Sequence, residues 1–228
     1  MKNRKAIIDD GMCPELVRGA EFDGIFQIPK IKAPSYFFIP KQLTPYSYIN
    51  QDHNQKENAV CFYENDYKFA DLLINPDKAL QSLTSFGAFI TLDCSLYRNA
   101  PLTVQIANIY KSRSVGCYAQ NKGFYVIPQV RWGTEETFTT KVLPEKVAFL
   151  GIPKRSIVAI SPYGCFKSRE DKLIFEAGLA AMLEELDPKH VLVYGPMPDK
   201  IFRKYDRYSC FHHYDDWLTL KRGGKTNG

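Results

Sequence analysis

Short apolar runs alternate with amphipathic stretches along most of this chain. From residue 59 onward, AVCFYE (59–64), GAFITLD (87–93), GFYVIPQVRW (123–132), SIVAIS (156–161), HVLVYG (190–195) and YSCFHHY (208–214) have the length and content of strands. The stretches between them carry helical spacing. Over 66–86 that spacing is broken by Pro76; over 99–120 Asn99 is placed to cap a helix, with Pro101 in the first turn, where no donor is needed. The best-defined helix spans 168–187. Ser168 and Asp171 make a capping box, Phe175, Leu179, Met182, Leu183 and Leu186 share one face, and Pro188 stops it. A short helix is expected over 198–206. Pro128 removes a ladder donor, so its strand is expected at an edge or ending there.

Nearly continuous apolar strands separated by helices predict an α/β fold: a mostly parallel sheet of five or six strands covered by helices. The pattern leans toward a barrel-like sheet and leaves an open doubly wound sheet as the alternative. Residues 1–57, punctuated by prolines at 14, 29, 34, 40 and 45, read as an irregular N-terminal extension packed on the body. Residues 58–216 read as the α/β domain and 217–228 as a basic C-terminal tail. No glycine-rich dinucleotide or P-loop fingerprint follows any strand.

Composition narrows the class. An apolar fraction of 45% and an aromatic fraction of 14% support a folded core. The basic N-terminus has no apolar run behind it, and no stretch approaches the ~18 apolar residues of a membrane span. The expectation is a cytoplasmic protein with no membrane partner. The six cysteines lie no closer than 23 residues apart, which argues for buried thiols rather than a metal motif. His212 and His213 point to opposite faces of a strand and make a poor ligand pair. No cofactor is identifiable, and oligomeric state is not legible.

The net charge of +5 sits mostly at the ends; residues 6–220 hold 24 bases against 25 acids. Inside the body, residues 94–134 contain no acid, but carry Arg98, Lys111, Arg113, Lys122 and Arg131 interleaved with aromatics. Such a segment suits a phosphate-bearing or base-stacking partner. Parallel α/β folds bind ligands at the carboxyl ends of their strands. Those ends supply Glu64, Asp93, Arg131, Trp132, Ser161, Tyr163 and Tyr194. Candidate catalytic residues are Asp93, Gln105 and Ser161; candidate substrate-binding residues are Tyr97, Arg98, Arg131, Trp132 and Tyr194. Asp93 is placed to act as a general base or to hold a divalent metal, and equally to cap a helix or pair with Arg98 or Arg131. Ser161 and Tyr194 also fit ordinary loop packing, and Trp132 fits core burial. Arg113 falls on the apolar stripe of its helix with Leu102, Ile106, Ile109 and Cys117, ~18 Å beyond Pro101. A structural ion pair is expected there.

The run Asp93-Cys94-Ser95-Leu96-Tyr97-Arg98, the helix PLTVQIANIYKSRSVGCYAQ, and then VIPQVRWG, SIVAISPYGC and FEAGLAAMLEELDPKHVLVYGPMP resemble one uncharacterised family of bacterial phages, plasmids and integrative elements, a domain of unknown function. The resemblance covers roughly residues 60 to 214. The family pattern Asp-x-Ser-x-Tyr is matched by Asp93, Ser95 and Tyr97; the helix matches at Pro101, Gln105, Asn108, Tyr110, Arg113, Gly116, Tyr118 and Gln120; and Trp132 matches after the third strand. Pro162 stands where related chains tend to have Thr. The resemblance implies a mobile-element protein and brings no reaction with it. Two functions stand open: binding or processing a nucleic acid or nucleotide at the strand edge, or a non-enzymatic, host-directed binding or inhibitor role against a host protein.

Overall fold

The computed structural model describes residues 13–223. A small antiparallel hairpin, β1 (Phe22–Asp23) with β2 (Ile28–Pro29), precedes the central sheet. Then β3 (Leu43–Pro45), β4 (Ala59–Cys61), β5 (Ala88–Ile90) and β6 (Val126–Ile127) pair side by side, all parallel. A second parallel ladder holds β7 (Ile157–Ile160), β8 (His190–Tyr194) and β9 (Cys210–Tyr214). The two are joined by a parallel bridge between Gln129 and Ala159. Strand β6 stops at Ile127 because Pro128 has no N–H to donate, yet the Pro128 carbonyl still accepts from Ala159 N at 2.9 Å. The fold is α/β and parallel, with seven central strands where five or six were expected. The additional strand, β3, comes from the proline-punctuated segment.

The sheet curls on itself. In a flat sheet β4 and β8 would stand four strand spacings apart, about 19 Å. Instead Tyr63, just after β4, stacks on Tyr194 of β8 with ring centroids 4.9 Å apart. On the far side the Tyr214 hydroxyl of β9 donates to the Pro40 carbonyl, ahead of β3, at 2.7 Å. Leu43, Ala59, Ala88, Ile127, Ile157, Leu192 and Tyr214, one from each strand, join a single interior cluster. Residues of the opposite parity face the helices. Val60, Phe89 and Val126 serve one outer cluster, and Val158, Ile160, Val191 and Val193 serve another. This is a barrel-like arrangement. Among the described residues no backbone ladder joins β9 to β3, so side chains close that seam.

Pro76 divides the first helical stretch into α1 (Asp71–Ile74) and α2 (Pro76–Gln81), with the Asn75 side chain accepting from Lys78 N. Helix α3 (Leu102–Asn121) starts two residues later than expected: its N-cap is Pro101 rather than Asn99, and no side chain caps it, so Asn99 has no capping role. After α4 (Glu135–Phe138), α5 (Arg169–Leu186) carries the expected Ser168–Asp171 capping box. It ends where Asp187 turns left-handed at φ 42°, one residue before Pro188. Then follow α6 (Asp199–Phe202) and α7 (Trp217–Gly223), the latter inside the region read as a basic tail. No helix among the described residues is long and apolar enough to cross a membrane.

Arg113 is fully buried, and its partners are not acids. Its Nε donates to Leu150 O at 3.2 Å, Nη1 to Gln129 O at 2.9 Å, and Nη2 to Ala148 O at 3.2 Å. The expected ion pair is replaced by a cage of carbonyl dipoles, which sequence spacing cannot reveal. Burial lowers the Arg113 pKa to about 10, which leaves it cationic at neutral pH. The residue ties α3 to the strand β6 extension and to the 147–150 loop.

Candidate functional site

The carboxyl ends of the strands form one mouth. After β5 the chain runs Thr91-Leu92-Asp93 inward, and after β6 it runs Gln129-Val130-Arg131 beside it. Thr91 Oγ1 accepts from Gln129 N at 2.9 Å, which locks the two segments in register. Asp93 is therefore met by three donors. Arg131 donates through Nε to one carboxylate oxygen and through Nη2 to the other, the latter at 2.6 Å; Gln129 Nε2 donates at 2.6 Å. Burial pushes the Asp93 carboxyl above its ordinary value, against the pull of Arg131 and Gln129. Burial also works against the Arg131 charge, but the adjoining carboxylate outweighs it and holds the guanidinium cationic.

The pair is unequally covered. The Asp93 side chain is 7% exposed and that of Arg131 20%. Asp93 occupies the Nε–Nη2 edge of the guanidinium, while Nη1 bonds no oxygen or nitrogen among the described residues. Beside the pair lies the Tyr63 phenol, whose buried hydroxyl has no hydrogen-bond partner. Burial, and then the Asp93 charge, push its pKa well up, so it stays a neutral donor. The Cys165 thiol also lies within the field of Arg131, and burial pushes its pKa up.

The other candidates separate into groups. Ser161 Oγ donates to Tyr194 O at 2.9 Å and accepts from Tyr163 N at 3.2 Å, so it shapes the loop after β7. Tyr194 stacks on Tyr63 and accepts from Trp217 N at 3.0 Å, joining α7 to the mouth. Gln105 is buried, with Nε2 bonded to Ala100 O at 3.0 Å and Oε1 accepting from Thr134 N at 3.4 Å; both ends serve backbone. Trp132 belongs to the helix-side core, 5.3 Å from the Phe175 ring and hard against Gly178. Only 9% exposed, it is not a stacking platform. Arg98 bridges to Glu170 at 3.1 Å and Asp171 at 3.2 Å in the first turn of α5. Tyr97 is exposed.

The Asp-x-Ser-x-Tyr run has a structural logic that spacing alone did not show. Ser95 donates from both N and Oγ to Asp66, at 3.0 and 2.7 Å, and its carbonyl accepts from Asn108 Nδ2 at 2.7 Å. These bonds fix the β5–α3 loop. Residues 20–215 match the family described as a domain of unknown function, DUF4417. The chain belongs to that family. It is 32% identical over 179 residues to the Gene 1 protein of Mycobacterium phage L5, covering 78% of this chain and 74% of the relative. A Gene 1 protein of Mycobacterium phage D29 is 32% identical over 175 residues, covering 75% of this chain and 60% of the relative. The family resemblance read from the motifs is thereby shown, and its relatives are phage proteins. No solved structure matches the chain.

Two features escaped the sequence reading. An apolar run to Glu64 hides Tyr63, because β4 ends at Cys61 and the chain turns Tyr63 into the interior cluster. Glu64 instead pairs with Lys68 at 3.0 Å and accepts from Ser47 N at 2.9 Å. Far from the mouth, His190, Cys210 and His212 gather at the opposite end of β8 and β9. A Cys-x-His pair on one strand with a His opening its neighbour was the available signal. Two cavities, of about 280 and 290 Å³, lie elsewhere, along residues 30–33 with 151–153 and beside α7.

Proposed function

We propose that the mouth binds a phosphate-bearing ligand, a nucleotide or a nucleic acid end, with Arg131 as its anion contact. The observation that supports this is the buried Asp93–Arg131 pair at the carboxyl edge of a parallel barrel, with an unpartnered Tyr63 hydroxyl beside it. Buried ion pairs contribute little net stability over an apolar substitute. In a parallel barrel, polar groups at this face serve ligands. In this reading Asp93 orients the guanidinium, Tyr63 supplies a second donor, and the exposed Tyr97 ring offers a surface for a base. A divalent cation at Asp93 would have to displace Arg131, so the guanidinium fills that role here.

The test is binding of labelled nucleotides and short oligonucleotides to the full chain at several salt concentrations. Tyr63→Phe removes a hydroxyl without a partner, so stability should hold or rise slightly. The expected result is salt-sensitive binding weakened at least several-fold in Tyr63→Phe and Tyr97→Ala. Absence of binding at low salt, or equal binding by both variants, overturns the reading. A second reading, a non-enzymatic host-directed binder, draws on exposed Tyr97, Tyr163 and Leu173 around the Arg98 bridge. It predicts that Tyr97→Ala and Leu173→Ala abolish capture of a host protein while Tyr63→Phe does not.

A further inference from the structure

The amino end of the barrel carries a separate donor cluster. In the β8–β9 register His190 lies opposite Cys210, and Leu192 opposite His212. Leu192, Tyr194 and Tyr214 belong to the interior cluster, so by strand alternation His190, Cys210 and His212 share that inner face. His213 points the other way, its Nε2 lying 2.8 Å from Gly195 O. The Nδ1 of His190 and the Nε2 of His212 stand 3.1 Å apart, and the ligand atoms of all three residues lie within 4.8 Å of one another.

We propose that His190, Cys210 and His212 form a binding site for a zinc-like divalent cation. Tetrahedral zinc, about 2.0–2.1 Å from nitrogen and 2.3 Å from sulfur, needs nitrogens about 3.3 Å apart and sulfur about 3.6 Å from each. The imidazole pair already has that bite. The thiolate has to close by roughly 1 Å, within reach of a χ1 adjustment. Two imidazoles and a thiolate form a borderline-soft set that selects zinc or cobalt over magnesium or calcium. The Phe37 ring meets His190 edge-on at 4.9 Å and fixes its plane. Cys210 is exposed, which gives a cation an approach and leaves a fourth position to water.

The location argues for a structural role. Residues at the amino face of a parallel barrel serve stability rather than chemistry. Here the ion would fasten the start of β9, the strand without a backbone partner at the seam, to β8. The proposal is independent of any ligand at the mouth.

The test uses the full chain without an affinity tag, in a non-chelating reductant, titrated with zinc and with cobalt. One equivalent of cobalt is expected, with a sulfur-to-cobalt charge-transfer band and tetrahedral d–d bands. Cys210→Ser should lose the charge-transfer band. His190→Asn and His212→Asn should weaken zinc binding at least about tenfold. His213→Asn, on the opposite face, should bind like the unmodified chain. Zinc should raise the thermal midpoint of the unmodified protein and not of Cys210→Ser, with circular dichroism confirming that each variant is folded. No stoichiometric binding of either metal, or Cys210→Ser and His212→Asn binding as well as the unmodified chain, overturns the site.

Discussion

Replacing Arg113 by Met keeps most of the side-chain volume and deletes every donor. Three carbonyl oxygens, those of Leu150, Gln129 and Ala148, then lose their partner in a region where the side chain is 1% exposed. Bonds from a charged donor contribute about 1.5–3 kcal/mol each, and stranded buried acceptors cost about 1–3 kcal/mol. Against this, Met avoids burying a cation, which offsets part of the loss. The net expectation is a destabilisation of about 4 kcal/mol, a large share of the 5–15 kcal/mol typical of a folded domain. Urea denaturation followed by fluorescence and circular dichroism reads this directly. With an m-value of about 2–3 kcal/mol/M, the midpoint should fall by roughly 1.5 M. Arg113→Lys keeps the charge, but a single ammonium cannot span three carbonyls arranged for a fork, so an intermediate loss is expected. A loss below about 1 kcal/mol in Arg113→Met would falsify the carbonyl-cage argument, because transfer and hydrogen-bond contributions of the stated size could not then be present.

Gly178→Ala should destabilise by about 1–3 kcal/mol, because the new methyl meets the Trp132 indole and outweighs the usual helix gain over glycine; a raised melting temperature would refute this. Asp93→Asn removes the counterion of a buried guanidinium and should cost about 3–5 kcal/mol, read from the same urea transitions. The double change Asp93→Asn with Arg131→Gln should cost less than the single one. The Lys154 ammonium, and with it Lys146, holds the Glu185 carboxyl below its usual value. A carboxylate depressed in the folded state adds stability above its unfolded value of about 4.3, lost as pH falls through the lower folded value. Glu185→Gln should therefore flatten the acid limb of the stability–pH curve, with a change at neutral pH held under about 1 kcal/mol by solvent screening.

The alternation of strands and helices was legible because both faces of each strand are buried, leaving apolar runs that end at turn residues. Strand β3 was not, since Leu43-Thr44-Pro45 follows Pro40 closely and itself ends in a proline; an edge strand tolerates what a central one would not. Helix α7 hid in a basic tail, although Asp216 caps it, accepting from Leu218 N and Thr219 N at 3.0 and 3.1 Å. The meeting of Asp93 with Arg131 was foreseen as one of several outcomes, because strand ends of a parallel sheet share an edge. Trp132 turned inward because α5 presents a glycine to it, a match between distant residues that no local pattern encodes. The stripe placed Arg113 inside correctly, but backbone oxygens leave no mark in a sequence.

The line between β9 and β3 has a mechanical meaning. Within each ladder, opening breaks a row of cooperative backbone bonds, but here side-chain contacts hold the line: the Tyr214–Pro40 bond, the Lys221–Gln51 bond at 2.9 Å and the ring contact of Trp217 with Tyr48, 5.3 Å apart. Transient breathing should begin along that line, so amide exchange would reach its flanking strands before the central ones. Any partner able to donate an extended segment would find its unpaired edge there first.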